Sequence, residues 1–146
     1  TFEGTPDNNE NNYIFKKGTF FAREEIVKNK LSAFSKSNVK TFLYKGEFAK
    51  TKNELDLKLK NRKVSIVNFD CDIEKSTSEA LKIIETYIQI GTVFLFDDYN
   101  GFNADNRFGQ RKAFKTFLKG SNYTFEKFFS YHYSGEAFLC TEETPL

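Results

Sequence analysis

Cysteine is scarce in this chain: two residues, Cys71 and Cys140, both inside apolar strand-like runs. Thiols in such places read as buried free cysteines in a reducing compartment, which argues against a disulfide scaffold or a cysteine metal pair. Arginine is equally sparse, at positions 23, 62, 107 and 111 only, and the net charge of +2 rests on scattered lysines with no basic block. Nucleic acid is therefore not an expected partner, because surfaces that bind it gather Arg and Lys on one face. No run of 18 apolar residues occurs, and no charged-then-apolar leader opens the sequence as it stands. The expectation is a cytoplasmic protein with no membrane partner. The glycines, at 4, 18, 46, 91, 101, 109, 120 and 135, nowhere form a G-x-G cluster, so dinucleotide-type binding has no independent support. Histidine occurs once, and His132 reads as a satisfied or exposed imidazole rather than a base. No internal repeat or low-complexity tract is present.

What is abundant is aromatic apolar surface, 18 Phe and 7 Tyr within a 39% hydrophobic chain of 146 residues, enough for a single core. Residues 1–19 read as a polar surface loop. A domain rarely opens on such a loop, so the expectation is one partial domain over 1–146 whose first part lies upstream. A helical stripe follows at Ile26, Val27, Leu31 and Phe34. Val39–Tyr44 reads as a strand, residues 50–63 as a short charged helix, and Val64–Phe69 as a strand. Ser76 with Glu79 forms a capping-box pattern opening a helix that continues to Ile88 and stops at Gly91, with Glu74 and Lys75 in the exposed loop before it. Val93–Phe96 is a strand, Arg107–Leu118 a helix whose phenylalanines face the core, and Lys112 and Lys115 lie on its solvated side. Tyr123–Tyr133 and Glu136–Thr141 flank a Ser134-Gly135 turn, a hairpin. This alternation predicts an α/β sandwich with a mostly parallel sheet ending in an antiparallel hairpin.

Two acidic clusters stand out within that frame. Asp70-Cys71-Asp72 ends one apolar strand and Asp97-Asp98 ends the next, with a helix between them. Strands of a βαβ unit run parallel and open on the same sheet edge, so the clusters should adjoin. Converging carboxylates repel one another unless a cation neutralises them, which makes a hard divalent metal the leading reading and solvated strand-end caps its rival. Asp72 is expected to point away from Asp70.

The run Phe69-Asp-Cys-Asp-Ile-Glu-Lys-Ser-Thr77, then Gly91-Thr-Val-Phe-Leu-Phe-Asp-Asp-Tyr99, then Gly109-Gln-Arg-Lys-Ala-Phe114, resembles the macrocin O-methyltransferase (TylF-like) family. Thr1-Phe-Glu-Gly-Thr-Pro6, Tyr44-Lys-Gly-Glu-Phe48 and the closing hairpin are similar to further segments of it in the same order. The resemblance implies a Rossmann-like class I methyltransferase fold that uses S-adenosylmethionine and a divalent ion, usually magnesium, to methylate a hydroxyl of a sugar or other small polyhydroxylated acceptor. It implies Asp70, Asp97 and Asp98 as metal ligands and Asp70 also as catalytic base beside the cofactor. Gly46, Glu47 and Phe48 are implied at the adenine pocket and Tyr99 at the acceptor. The family's glycine-rich turn and first two strands have no counterpart here, so the sheet is expected to be N-terminally incomplete. It would have a gap between 39–44 and 64–69 that an upstream segment or a second copy of the chain in a homo-oligomer would fill.

Two other readings stay open. Asp70-Cys71-Asp72 is a D-x-D after an apolar strand, as in glycosyltransferases that bind a metal and a nucleotide sugar. A non-catalytic methyltransferase-like fragment serving as an interaction module is the third.

Overall fold

A computed structural model describes residues 2–10, 14–34 and 39–145. Of the loop read over 1–19, residues 1 and 11–13 lie outside the described residues. The elements run α1 (Glu24–Phe34), α2 (Phe48–Leu59), β1 (Ile66–Phe69), α3 (Glu74–Ile84), a 3-10 turn at Glu85–Tyr87, β2 (Val93–Phe96), α4 (Gly109–Gly120), β3 (Tyr123–Tyr131) and β4 (Gly135–Glu143). They build an α/β fold around one four-stranded mixed sheet of order β1-β2-β4-β3.

Parallel pairing is confined to β1 and β2, in register from Ile66 opposite Val93 to Phe69 opposite Phe96. The hairpin supplies two antiparallel ladders, β4 lying between β2 and β3. Phe94 and Phe96 share one face of β2 because alternate strand residues point the same way. On that face they meet Phe69, Leu81 and Ile84 of α3, and Ala113 and Phe114 of α4. Phe69 and Phe96 stack at 4.6 Å, and Phe96 meets Phe114 at 4.8 Å. Both helices therefore cover the same side and press against each other. The opposite face carries Ile66, Val93 and Leu95 and is only partly covered.

Several expectations need correction. Residues 39–44 form no strand: they run without a ladder and leave Phe42 54% exposed. A strand needs a hydrogen-bonded neighbour, and among the described residues none pairs with this segment or with the outer edge of β1, where Ile66 is 65% exposed. Helix α3 starts at Glu74, so Glu74 and Lys75 belong to its first turn and Ser76 and Glu79 lie inside it, where they cannot form a capping box. Its cap comes from far away, since Glu10 Oε2 accepts the Glu74 N–H at 2.8 Å. The other oxygen, Oε1, accepts the Gly109 N–H that opens α4. One carboxylate thus sits on two helix N-termini, where an anion is favoured. Past Ile84 the α3 stripe tightens into the 3-10 turn, and Ile88 is already extended. The hairpin loop is His132–Ser134 rather than Ser134-Gly135, because Gly135 already pairs with Tyr131. Among the described residues no helix is long and apolar enough to cross a membrane.

Candidate functional site

The ends of β1 and β2 lie side by side because Phe69 and Phe96 are register partners. One further ladder bond, Asp97 N–H to the Phe69 carbonyl at 3.2 Å, carries the pairing just past the strands. The chains then turn, and both acidic segments open on one edge. Oxygens of Asp70, Asp72 and Asp98 come within 4.8 Å of one another, Asp70 exposed and the other two half-buried.

Asp72 does not turn away from Asp70, contrary to expectation. Residues 70 and 72, two apart on the chain leaving the strand, point the same way, as strand alternation requires. Cys71 is the residue that turns inward, its Sγ 3.6 Å from Thr77 Oγ1 in α3. Burial pushes the Cys71 thiol up to about 12, so it stays protonated and offers no thiolate. The Thr77 hydroxyl lies 2.7 Å from the Cys71 carbonyl and 3.0 Å from that of Ile73, pinning the acidic turn to the helix.

Asp97 stands apart from the three. Its Oδ1 lies 3.1 Å from His132 Nε2. The Ser134 N–H donates to His132 Nδ1 at 3.2 Å, which makes Nε2 the protonated nitrogen of a neutral ring and the donor to Asp97. The Ser134 hydroxyl also donates to the Asp97 carbonyl at 2.8 Å, and the Asn100 N–H to the Ser134 carbonyl at 2.9 Å. The hairpin loop therefore holds the Asp97 segment on both sides. His132, read as a satisfied or exposed imidazole, is both, exposed and in contact with this carboxylate.

The electrostatics of the three-carboxylate group are those of uncompensated negative charge. Burial first, then a hydrogen bond shared with Asp72 and the charges of Asp72, Asp97 and Asp70, push Asp98 up to about 7. Burial, followed by the charge of Asp70, raises Asp72 as well. Tyr131 lies in the same field: burial, then the charges of Asp97, Asp98 and Asp70, raise its phenol to about 12, and its hydroxyl is buried with no hydrogen-bond partner among the described residues.

Other expected site residues fall elsewhere. The Tyr99 ring packs on Phe96, Phe138 and Phe114 with the Arg111 guanidinium 4.6 Å above it. Arg111 in turn holds Asn100 Oδ1 at 2.6 and 3.1 Å. Gly46, Glu47 and Phe48 form the turn that opens α2, where Glu47 pairs with Lys50 at 3.0 Å. Gly46 adopts φ +144, a conformation that favours glycine.

Two contributors carry no role in the sequence reading. Glu10, which anchors both helices, has no local signal, since its partners are 64 and 99 residues away. Gln110 does have one. It stands at the head of the stripe Gln110, Ala113, Phe114, Phe117, a polar residue on a helix face that is otherwise apolar. The Gln110 side chain is fully buried; Nε2 donates to the Phe69 carbonyl at 2.9 Å and Oε1 accepts the Asp98 N–H at 3.0 Å.

No protein-family model matches the chain, and no curated protein matches it. Among solved structures, a calicheamicin methyltransferase, CalS11, superposes with a TM-score of 0.73 at 18% identity over 95% of this chain and 57% of its own. The O-methyltransferase NovP gives 0.66 at 16% identity, over 97% and 57% respectively. The apo form of CalS11, described as a TDP-rhamnose 3'-O-methyltransferase, gives 0.61 at 16% identity, over 79% and 50%. The chain thus has the fold of part of these methyltransferases and spans little more than half their length.

Proposed function

We propose that this chain carries the acceptor-activating part of a cytoplasmic, metal-dependent O-methyltransferase that uses S-adenosylmethionine and acts on a hydroxyl of a sugar or another small polyhydroxylated molecule. The observation that carries the reading is the convergence of Asp70, Asp72 and Asp98 within 4.8 Å at the ends of a parallel strand pair, in a fold shared with O-methyltransferases. The donor set suits a hard divalent cation such as Mg2+, being all carboxylate oxygen and short of positive charge. The upward shift of Asp98 and the orphaned hydroxyl of Tyr131 beside it fit the same requirement.

When bound, such an ion would lower the pKa of an acceptor hydroxyl; S-adenosylmethionine would supply the methyl group. Asp72 and Asp98, half-buried and joined by a hydrogen bond, are suited to hold the cation. Asp70, the exposed member, is suited to take the hydroxyl proton and to face the acceptor. Asp97, expected as a ligand, is held by His132 at the rim of the site. Tyr99 is assigned to positioning beneath Arg111, and the turn at Gly46–Phe48 to the cofactor side, where a Cβ on Gly46 would come within 3.2 Å of Thr51 Cγ2.

The test is magnesium-dependent methyl transfer to vicinal-diol acceptors by the wild type and by Asp98→Asn. Loss in the variant is expected; unchanged activity would sink the reading. Asp72 beside Asp70 also favours the D-x-D reading, in which both bind a metal and a nucleotide sugar. Thermal-shift titration separates the two, because S-adenosylmethionine should stabilise a methyltransferase and a uridine-diphosphate sugar a glycosyltransferase.

A further inference from the structure

We infer that Gln110 is the positioning residue of the acidic site, its buried amide fixing the spacing of Asp70 and Asp98 and thereby the affinity of the site for a divalent cation. The inference rests on the metal reading of those carboxylates and deepens it.

The β1–β2 ladder runs out at the Asp97 N–H, directly before the three carboxylates. Their repulsion acts to splay the two strand ends at the point where backbone pairing stops. Gln110 occupies that point. Its amide reaches both strand ends, Nε2 donating to Phe69, the residue before Asp70, and Oε1 accepting from the Asp98 backbone itself. The side chain thus replaces the next peptide unit of the ladder. The Phe69 carbonyl takes two donors, Asp97 N–H at 3.2 Å and Gln110 Nε2 at 2.9 Å, so its acceptor capacity is filled.

The staple itself is held firmly. Gln110 lies in the first turn of α4, whose opening N–H is fixed by Glu10 and whose next turn is fixed by buried Ala113 and Phe114. Next to it, Gly109 has φ +55 and its backbone lies so close to Phe102 that a Cβ would fall 2.6 Å from the ring. With no exposed surface and no free rotamer, the amide transmits the position of α4 to both strand ends. Groups that orient ligands without touching the ion commonly change metal affinity about 10–100-fold when lost.

The experiment is calorimetric Mn2+ titration of the full chain as wild type, Gln110→Met, Gln110→Asn and Leu81→Ala. The Met variant keeps the volume and removes both hydrogen bonds. The Asn variant keeps an amide one methylene too short to span both ends, and stands in if the Met variant does not fold. Leu81→Ala weakens the core at a residue outside the acidic group. Both Gln110 variants should bind Mn2+ at least ~10-fold more weakly, and Leu81→Ala should match the wild type. Backbone exchange at the Asp98 amide should accelerate in the Gln110 variants beyond the change that Leu81→Ala produces. Wild-type affinity in the variants, or equal loss in Leu81→Ala, would overturn the positioning role and leave the metal reading standing. Failure of the wild type to bind Mn2+ would overturn both.

Discussion

Asp98 makes the stability of this protein depend on pH in an unusual direction. Its carboxyl is raised from the ordinary 3.8 to about 7, first by burial and then by Asp72 and the neighbouring charges. The folded state therefore keeps a proton that the unfolded state has released, and stability is highest below the ordinary value and falls as pH climbs towards 7. Three units correspond to ~4 kcal/mol at about 1.4 kcal/mol per unit. Half-exposure of Asp98 lets solvent screen the field, which brings the effect to on the order of 1–2 kcal/mol. For a chain of this size that is roughly 2–8 °C in Tm. Carboxylates with lowered values, Glu24 and Asp105 at about 2, act in the opposite sense but finish titrating below pH 5. They therefore contribute little across pH 5 to 7, and comparison with Asp98→Asn assigns the slope in that window. Thermal unfolding in chelator at pH 5, 6, 7 and 8 should show Tm declining across that window. Excess Mg2+ should flatten the decline, because a cation takes the place of the proton. Asp98→Asn should lose the slope and, at pH 8 in chelator, melt above the wild type. A flat wild-type profile, or an equal slope in Asp98→Asn, would refute the reasoning.

Glu10→Ala removes the shared cap of α3 and α4 and should cost about 1–2 kcal/mol by urea unfolding with an unchanged m-value. Phe94→Ala, at the centre of the ring cluster and fully buried, should cost ~3–5 kcal/mol by the same measurement. Cys71, held protonated by burial, should react with iodoacetamide at pH 7.5 far more slowly in the native chain than in urea, read by mass spectrometry; equal rates would contradict its placement.

Where a pattern is local, the chain declares its structure. Val93–Phe96 has the same bounds in sequence and structure, and the paired strand ends follow from two apolar runs with a helix between them. The helical stripes of α1, α3 and α4 come through for the same reason, and those of α3 and α4 bury one face. What fails is whatever depends on partners distant in sequence. Val39–Tyr44 has strand composition but no neighbour to pair with among the described residues. Ser76 and Glu79 match a capping box, yet the helix begins two residues earlier because Glu10 supplies the cap from a remote loop. Gln110 lay between these cases: its place on an apolar stripe marks a buried polar group that must find partners, although the pattern does not say which.

The acidic site shows the same division at the scale of single aspartates. Proximity of the clusters follows from topology, but membership does not. Asp70 and Asp72 share the site as residues two apart on an extended chain do, with Cys71 between them turned to α3. Asp97 and Asp98 are adjacent and chemically identical, and only the tertiary environment separates them. The Gln110 amide takes the Asp98 backbone, while His132 takes the Asp97 carboxylate from a hairpin loop 35 residues away. His132 adopts φ +36, a conformation that non-glycine residues adopt at a cost, and its ring is held in place by Ser134. Which carboxylates converge at the strand ends is therefore decided by the hairpin and by α4, the two elements that follow the acidic strands in the chain.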